Sequence, residues 1–234
     1  MSSTIGAVTA VSTVNKPQLK VSVFSDYICP FCYVGSLRLL RLNEDYDLNI
    51  NWCGVEIHPQ TPPEGMPIRA LGYSPSRWKD MMVGLKIMAE EEGIDLTRHD
   101  FTTNSQKALL LAEAAKEAGR DVFYRLHNAL FQSFLISGRN IGDEKVLRDI
   151  ANQVGVPGNV VTRAWSDSRY IRRLATNQKA AREMHLQGVP TYAVGSKILI
   201  GTVSMERLRE AAHTSVHGVR PYAQKNDPLP GVSL

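Results

Sequence analysis

The sequence predicts an α/β fold whose small mixed sheet is built from two distant parts of the chain, β-α-β and then β-β-α. A strand pattern lies near each end, and a helix directly follows the first strand. A long helix-dominated stretch without a strand pattern separates the two halves. We therefore expect a sheet domain at 19–60 and 186–214. An all-helical insertion with its return helix occupies 61–185, and a flexible lead-in (1–18) and a loose tail (215–234) flank the fold.

The first half of the sheet is predicted from its hydrophobic pattern. Residues 19–24 alternate between apolar and polar side chains, which is the period of a half-buried strand. A helix follows from about 30 to 42, and 48–57 resembles a second strand. Because strand, helix and strand in this succession are typical of a crossover unit, we expect the two strands to pair in parallel.

Capping and turn residues predict the rest of the chain. Ser74-Pro75 is a favourable helix start, and Gly195-Ser196 is a two-residue hairpin turn. The helices of the insertion are expected at 75–92, 104–118, 121–136, 143–154 and, with a bend, 159–184. The hairpin strands are expected at 191–194 and 197–200, and a closing helix at 206–212. Pairing this hairpin with the first two strands gives a four-stranded sheet.

Composition excludes several function classes. The chain has 234 residues and a net charge of +4, and its basic residues form no dense run, so nucleic-acid binding is unsupported. No apolar run is long enough to span a membrane, and 1–18 lacks the features of a secretory signal. Three cysteines are too few for a disulfide framework. We expect a cytoplasmic protein whose thiols are kept reduced.

The turn Cys29-Pro30-Phe31-Cys32 carries the chemistry that the sequence indicates. Pro30 suits the first position of a helix, which makes Cys29 the N-cap and Cys32 the third helical residue. The free amide groups and the positive end of the helix dipole favour the Cys29 thiolate, which is the nucleophile in disulfide exchange. Cys32 lies on the same side of the helix. We expect Cys29 to attack a disulfide and Cys32 to resolve the mixed disulfide.

A second feature is the segment Gly188-Val189-Pro190-Thr191. Proline cannot donate a hydrogen bond to a sheet, so Pro190 belongs at the start of a strand. A cis bond between Val189 and Pro190 would turn the chain sharply and leave backbone groups free to bind a substrate peptide. Together with the cysteine turn, this segment predicts a substrate-binding loop beside the thiols.

These motifs resemble the DsbA-like thioredoxin superfamily, in particular its cytosolic FrnE-like branch. The resemblance covers about 20–212. It rests on the helical block and on two motifs, Ser25-Asp26-Tyr27-Ile28-Cys29-Pro30-Phe31-Cys32-Tyr33-Val34-Gly35 and Gly188-Val189-Pro190-Thr191-Tyr192. It implies a thioredoxin fold with a helical insertion, a cis-proline beside the cysteines, and dithiol–disulfide exchange with oxidase or isomerase activity on protein thiols. No cofactor is implied, although glutathione is a candidate co-substrate.

The sequence departs from the family pattern at two positions. Related domains often carry a buried carboxylate six residues before the first cysteine, where this chain has Val23. We therefore consider Asp26, or water, as the route for proton transfer to Cys32. FrnE-like proteins often have Trp between the cysteines, where this chain has Phe31.

Two alternatives remain open at this point. Kappa-class glutathione transferases and 2-hydroxychromene-2-carboxylate isomerases share the fold, but they typically place Ser at the helix start, whereas this chain has a cysteine pair. A zinc module could draw on Cys29, Cys32, Cys53 and His58, although a single Cys-x-x-Cys followed by one lone Cys is a weak metal signature. The spacing therefore favours redox chemistry over metal binding, and we predict no metal site.

Other candidates receive structural interpretations. Cys53 is expected to be a small buried residue rather than a redox partner. Ser36 shows no partner of the kind that activates a serine nucleophile, and the histidines, His127 included, are expected to be surface or packing residues. The Met-rich helix at 75–92 is compatible with a homodimer. The direction of electron flow is not set by the sequence, because oxidases, reductases and isomerases share these residues.

Overall fold

A computed structural model describes residues 16–96 and 100–218 of the chain. Most of the expected lead-in, 1–15, and of the expected tail, 219–234, lies outside the described residues. The strands are β1 (Gln18–Ser25), β2 (Asp47–Gly54), β3 (Met66–Pro67), β4 (Phe101–Thr102), β5 (Thr191–Val194) and β6 (Lys197–Ile200). The α-helices are α1 (Pro30–Arg41), α2 (Pro75–Glu91), α3 (Gln106–Ala115), α4 (Arg120–Leu135), α5 (Glu144–Gln153), α6 (Gly158–Arg163), α7 (Ser168–Glu183) and α8 (Met205–His217).

The main sheet has four strands in the order β2-β1-β5-β6. β1 pairs in parallel with β2 and antiparallel with β5, and β5 and β6 form the hairpin. The predicted mixed sheet, its β-α-β and β-β-α halves and the helical insertion are therefore confirmed. In this register Val23 on β1 lies opposite Trp52 on one side and Tyr192 on the other.

The helical insertion and the sheet share one apolar core. A continuous cluster of buried side chains joins Leu19 and Tyr192 of the sheet with Tyr33 of α1 and with Leu126 and Phe131 of α4. Because the aromatic ring of Tyr33 stacks on that of Phe131, α1 is held between the sheet and the insertion. This packing fixes the start of α1, where the two cysteines lie.

Three predictions about elements were wrong. The region expected to lack strands contains the two-residue pair β3–β4, which is too short to produce a period of two. The single bent helix expected at 159–184 is two helices, because the Asp167 side chain accepts a hydrogen bond from the Arg169 amide and caps a new helix, α7. The second strand, expected to reach 57, ends at Gly54.

The closing helix is longer than predicted. α8 continues past 212 to His217, so the first residues of the expected tail are helical. Val216, one turn beyond the buried Ala212, packs against the main core, which favours the continuation of the helix. Gly218, with φ 76°, ends it in the left-handed conformation that glycine tolerates best.

Candidate active site

Cys29 is the N-cap residue of α1, as the sequence predicts. Its backbone is extended (φ −92°, ψ 112°), and Pro30 opens the helix. The Cys29 amide donates to the Asp26 carbonyl at 3.2 Å, and the Cys29 carbonyl accepts from the Cys32 amide at 3.0 Å. These bonds close a tight turn that places Cys29 at the amide end of α1.

The two thiols differ in their surroundings. Cys29 is 6% exposed and Cys32 is 1% exposed, and both are reduced in this structure. Burial raises the pKa of the Cys32 thiol well above its ordinary value, and the hydrogen bond with Cys29 raises it further. The Asp26 amide and the Ser25 hydroxyl act in the opposite direction. Cys29 is therefore the outer thiol of the pair and Cys32 the inner one.

The loop before β5 faces the outer thiol. The Cys29 thiol donates to the Val189 carbonyl at 3.8 Å, and the Val189–Pro190 peptide bond is cis, as predicted. The Gly201 amide donates to the Pro190 carbonyl at 2.8 Å, which holds the loop in the sheet. The Thr202 hydroxyl donates to the Phe31 carbonyl at 2.8 Å and joins the segment after β6 to the cysteine turn.

Gly35 allows α1 to lie directly against this loop. A Cβ atom at position 35 would stand 2.1 Å from the Tyr192 hydroxyl oxygen and 3.0 Å from Cγ of Pro190. No side chain fits in that space, so the approach of the helix to the cis-proline requires glycine. Phe31 packs against both the main core and the apolar cluster of Val34 with Leu85 of α2.

Asp26 is a fully buried carboxyl group beside the cysteine turn. Burial raises its pKa from 3.8 to about 6, although hydrogen bonds from the Ile57 and Ile28 amides and from the Ser105 hydroxyl lower it. The Ile57 amide donates to the carboxylate at 2.9 Å and the Ile28 amide at 3.4 Å. The carboxylate thus binds the turn to the segment after β2, and it is the Asp26 amide that faces the Cys32 sulfur.

A buried network beside the site was missed in the sequence. His127 of α4 lies 3.0 Å (Nδ1) from the Tyr27 hydroxyl and 2.9 Å (Nε2) from the Ser36 hydroxyl, so the expectation that Ser36 has no histidine partner was wrong. Burial lowers the pKa of His127 to about 3, and the ring is neutral. Because Ser36 and His127 are each 3% exposed, this pair anchors the turn to the insertion instead of forming an accessible nucleophile.

The ligands of the zinc alternative are not brought together. Cys53 lies in a separate apolar cluster with Phe24, Val55 and Ala181, and burial raises its pKa to about 11. His58 is paired with the Tyr73 hydroxyl at 3.4 Å. Within 16–96 and 100–218, no group of three or more His, Cys, Asp or Glu side chains is arranged to hold a metal ion. The expected burial of Cys53 is confirmed.

The helices of the described residues are also too short or too polar to cross a bilayer. None of those in 16–96 and 100–218 combines the length and the apolar character that a membrane span requires.

The protein combines a four-stranded mixed sheet with a dithiol at the start of a helix, and a cis-proline loop contacts that dithiol. These features define the class of thioredoxin-fold proteins. Within this class, the family model for the DSBA-like thioredoxin domain matches residues 20–213. The chain therefore belongs to the DSBA-like thioredoxin domain family. The predicted resemblance is confirmed at this level.

Solved structures agree with this assignment. A probable DsbA oxidoreductase of Streptomyces coelicolor is 20% identical, covers 91% of this chain and 100% of its own, and superposes with a TM-score of 0.75. A 2-hydroxychromene-2-carboxylate isomerase is 22% identical over 82% of this chain and 93% of its own, with a TM-score of 0.66. The cytosolic disulfide reductase DsbM of Pseudomonas aeruginosa with GSH is 17% identical over 81% and 91%, with a TM-score of 0.59. At these identities the likeness concerns the fold.

Proposed function

We propose that the chain catalyses thiol–disulfide exchange. The Cys29 thiolate attacks one sulfur of a substrate disulfide, a mixed disulfide forms, and the other substrate sulfur leaves as a thiolate. The Cys32 thiolate then attacks Cys29 and closes the Cys29–Cys32 disulfide, releasing the reduced substrate. The observation that carries the proposal is the position of Cys29 at the N-cap of α1, with its thiol 3.8 Å from the Val189 carbonyl.

The neighbouring residues support this chemistry in different ways. Pro30 begins the helix, so the thiols stand at its amide end. Val189 and Pro190 form the loop along which we propose that a substrate peptide binds. Phe31 joins α1 to α2, and Asp26 holds the turn and presents its amide to Cys32.

The proposal is tested by equilibrating the purified protein in glutathione buffers, trapping free thiols by alkylation and locating the disulfide by mass spectrometry. We expect a reversible disulfide between Cys29 and Cys32. Cys29→Ser abolishes it and should also prevent mixed disulfides, whereas Cys32→Ser should accumulate a Cys29 mixed disulfide. Cys53→Ser is the matched control and should behave like the unmodified protein. If no disulfide forms between Cys29 and Cys32 in any of the buffers, the proposal is contradicted.

The substrates that we propose are protein or small-molecule disulfides, with glutathione as co-substrate, in the cytoplasm. The cytosolic reductase DsbM is a fold relative whose structure contains GSH, which favours this setting. The reduction potential of the Cys29–Cys32 pair, read from the same titration, decides between oxidase, reductase and isomerase roles.

A second candidate is a glutathione-dependent 2-hydroxychromene-2-carboxylate isomerase. The structural similarity to a 2-hydroxychromene-2-carboxylate isomerase favours this second candidate. Turnover of a chromene carboxylate that requires glutathione and persists in Cys32→Ser would support the isomerase, because the resolving thiol has no role in that reaction.

A homodimer through α2 is a separate proposal. Val83 and Ile87 of this helix are each 54% exposed, although large apolar side chains favour burial. Sedimentation analysis of the unmodified protein and of Ile87→Glu tests it. A dimer that the substitution dissociates is expected, and a monomer at all concentrations would refute it.

A further inference from the structure

The Tyr192 hydroxyl is a buried polar group to which the proposed exchange steps assign no role. Tyr192 is 0% exposed. Within the described parts of the chain, its hydroxyl oxygen is one of three buried side-chain oxygen or nitrogen atoms without a hydrogen-bond partner. Such a group is unfavourable in a core, and a phenylalanine of the same shape would avoid the penalty.

The sheet places this hydroxyl against α1, the helix that begins at the two cysteines. Tyr192 pairs with Val23 across the antiparallel β1–β5 ladder, and residues directly opposite in such a ladder share one face of the sheet. The hydroxyl oxygen abuts Gly35 of α1, one turn beyond Cys32. The Val23 side chain is apolar and buried, so it offers the hydroxyl no hydrogen-bond partner.

The charges around Tyr192 come from residues of α1 and from its N-cap residue, Cys29. Burial raises the pKa of the Tyr192 hydroxyl far above its ordinary value, Cys32 and Cys29 as thiolates raise it further, and Arg38 lowers it. Tyr192 is therefore protonated at every working pH and can act only as a hydrogen-bond donor. In the dithiol form it donates to neither sulfur, so a hydrogen bond to a thiolate would be newly formed during the reaction.

We propose that the Tyr192 hydroxyl stabilises the Cys32 thiolate whenever the exchange reaction generates it. This proposal rests on the proposed function. In the opening direction a substrate thiolate attacks Cys29, the Cys29–Cys32 bond breaks, and Cys32 leaves with the electron pair. In the closing direction the Cys32 thiolate attacks Cys29 and the substrate sulfur leaves. The tyrosine keeps its proton in both directions and acts as a hydrogen-bond donor to the Cys32 sulfur.

The test is a rapid-mixing experiment on the full chain with excess oxidised glutathione, quenched in acid, alkylated and analysed by mass spectrometry. The first step forms glutathionylated Cys29, and the second converts it to the Cys29–Cys32 disulfide. For Tyr192→Phe we expect the second step to be about tenfold slower at neutral pH, with the midpoint of its pH profile about one pH unit higher. The first step should change much less, because it uses Cys29, whose interaction with Tyr192 is weaker than that of Cys32.

The control is Tyr170→Phe, which removes a hydroxyl bonded to Glu117 at 2.8 Å in a tyrosine that is also 0% exposed. It should leave both steps and the pH profile unchanged. Thermal unfolding provides the structural readout. Tyr192→Phe should melt at the same or a higher temperature, since it removes an unpaired group, whereas Tyr170→Phe should melt lower.

The outcomes separate this proposal from the function on which it rests. An unmodified protein that forms glutathionylated Cys29 and never closes the disulfide refutes the proposed function. A protein that closes the disulfide, with the same rate and pH profile in Tyr192→Phe, refutes the tyrosine proposal alone. If Tyr192→Phe is poorly folded, the same interaction is tested at low temperature in the double variant Cys29→Ser/Cys53→Ser, in which Cys32 is the remaining thiol. Its thiolate is titrated by ultraviolet absorbance with and without Tyr192→Phe. An unshifted midpoint overturns the proposal.

Discussion

Replacement of Asp26 by Asn tests how burial determines the pH dependence of stability. Burial raises the pKa of Asp26 from 3.8 to about 6, so the folded protein holds a proton that the unfolded chain releases between these values. Stability is therefore highest at low pH with respect to this group and falls as the pH rises through this window. The shift in the pKa of Asp26 corresponds to about 3 kcal/mol of unfolding free energy, which is fully lost once the pH exceeds the pKa of the folded state.

Asn keeps the shape of the side chain and removes the titration. We expect the stability of the unmodified protein relative to Asp26→Asn to decline by about 2 kcal/mol between about pH 4.5 and 7.5. The assay is urea unfolding over this pH range, followed by the midpoint and slope of each transition. Asp47→Asn, at an exposed position, is the control and should follow the unmodified protein. A difference between Asp26→Asn and the unmodified protein that does not vary with pH would refute the reasoning.

The same variant separates two routes for the proton of Cys32. If the Asp26 carboxylate exchanges that proton, the pH profile of disulfide closure changes in Asp26→Asn. Its hydrogen bonds to the Ile57 and Ile28 amides indicate a role in holding the turn, so we expect the profile to be unchanged in Asp26→Asn and shifted in Tyr192→Phe.

Three further substitutions test the packing around the site. Gly35→Ala places a methyl group 2.1 Å from the Tyr192 oxygen and should destabilise the fold by about 1–3 kcal/mol in urea unfolding; an unchanged midpoint would contradict the close contact. Arg38→Ala removes the 2.9 Å partner of Glu92, whose side chain is 6% exposed and keeps Arg41 at 3.4 Å, and should cost about 1–3 kcal/mol, with partial recovery in Arg38→Ala/Glu92→Gln. Ser36→Ala should lower thermal stability, because His127 loses a partner, and should leave disulfide closure unchanged; loss of closure would indicate a chemical role for Ser36.

Several features that the sequence predicts correctly are local, although the sheet built from two distant parts of the chain is also confirmed. The helix start at Cys29-Pro30 and the hairpin turn at Gly195-Ser196 depend on neighbouring residues and on the backbone limits of proline and glycine. The cis bond before Pro190 is expected from the family resemblance, because most bonds before proline are trans. The break between the two helices within 159–184 is made by the Asp167 cap, which a single continuous helix does not account for.

The features that were missed depend on contacts between distant residues. His127 and Ser36 are 91 positions apart and lie on different helices, so no spacing rule connects them. Tyr192 becomes a candidate only when its register opposite Val23 and its contact with Gly35 are known. Asp26 was named from the sequence as a proton carrier, but its hydrogen bonds to Ile57 and Ile28 become visible only in the folded chain.

The most direct test of the central claim is the redox titration of the Cys29–Cys32 pair in glutathione buffers, read by alkylation and mass spectrometry. We predict a disulfide that opens and closes reversibly between these two residues with a single midpoint, while Cys53 remains a thiol throughout. Two cysteines that stay reduced across the whole range, or that form mixed disulfides without closing, would contradict disulfide exchange as the function of this site.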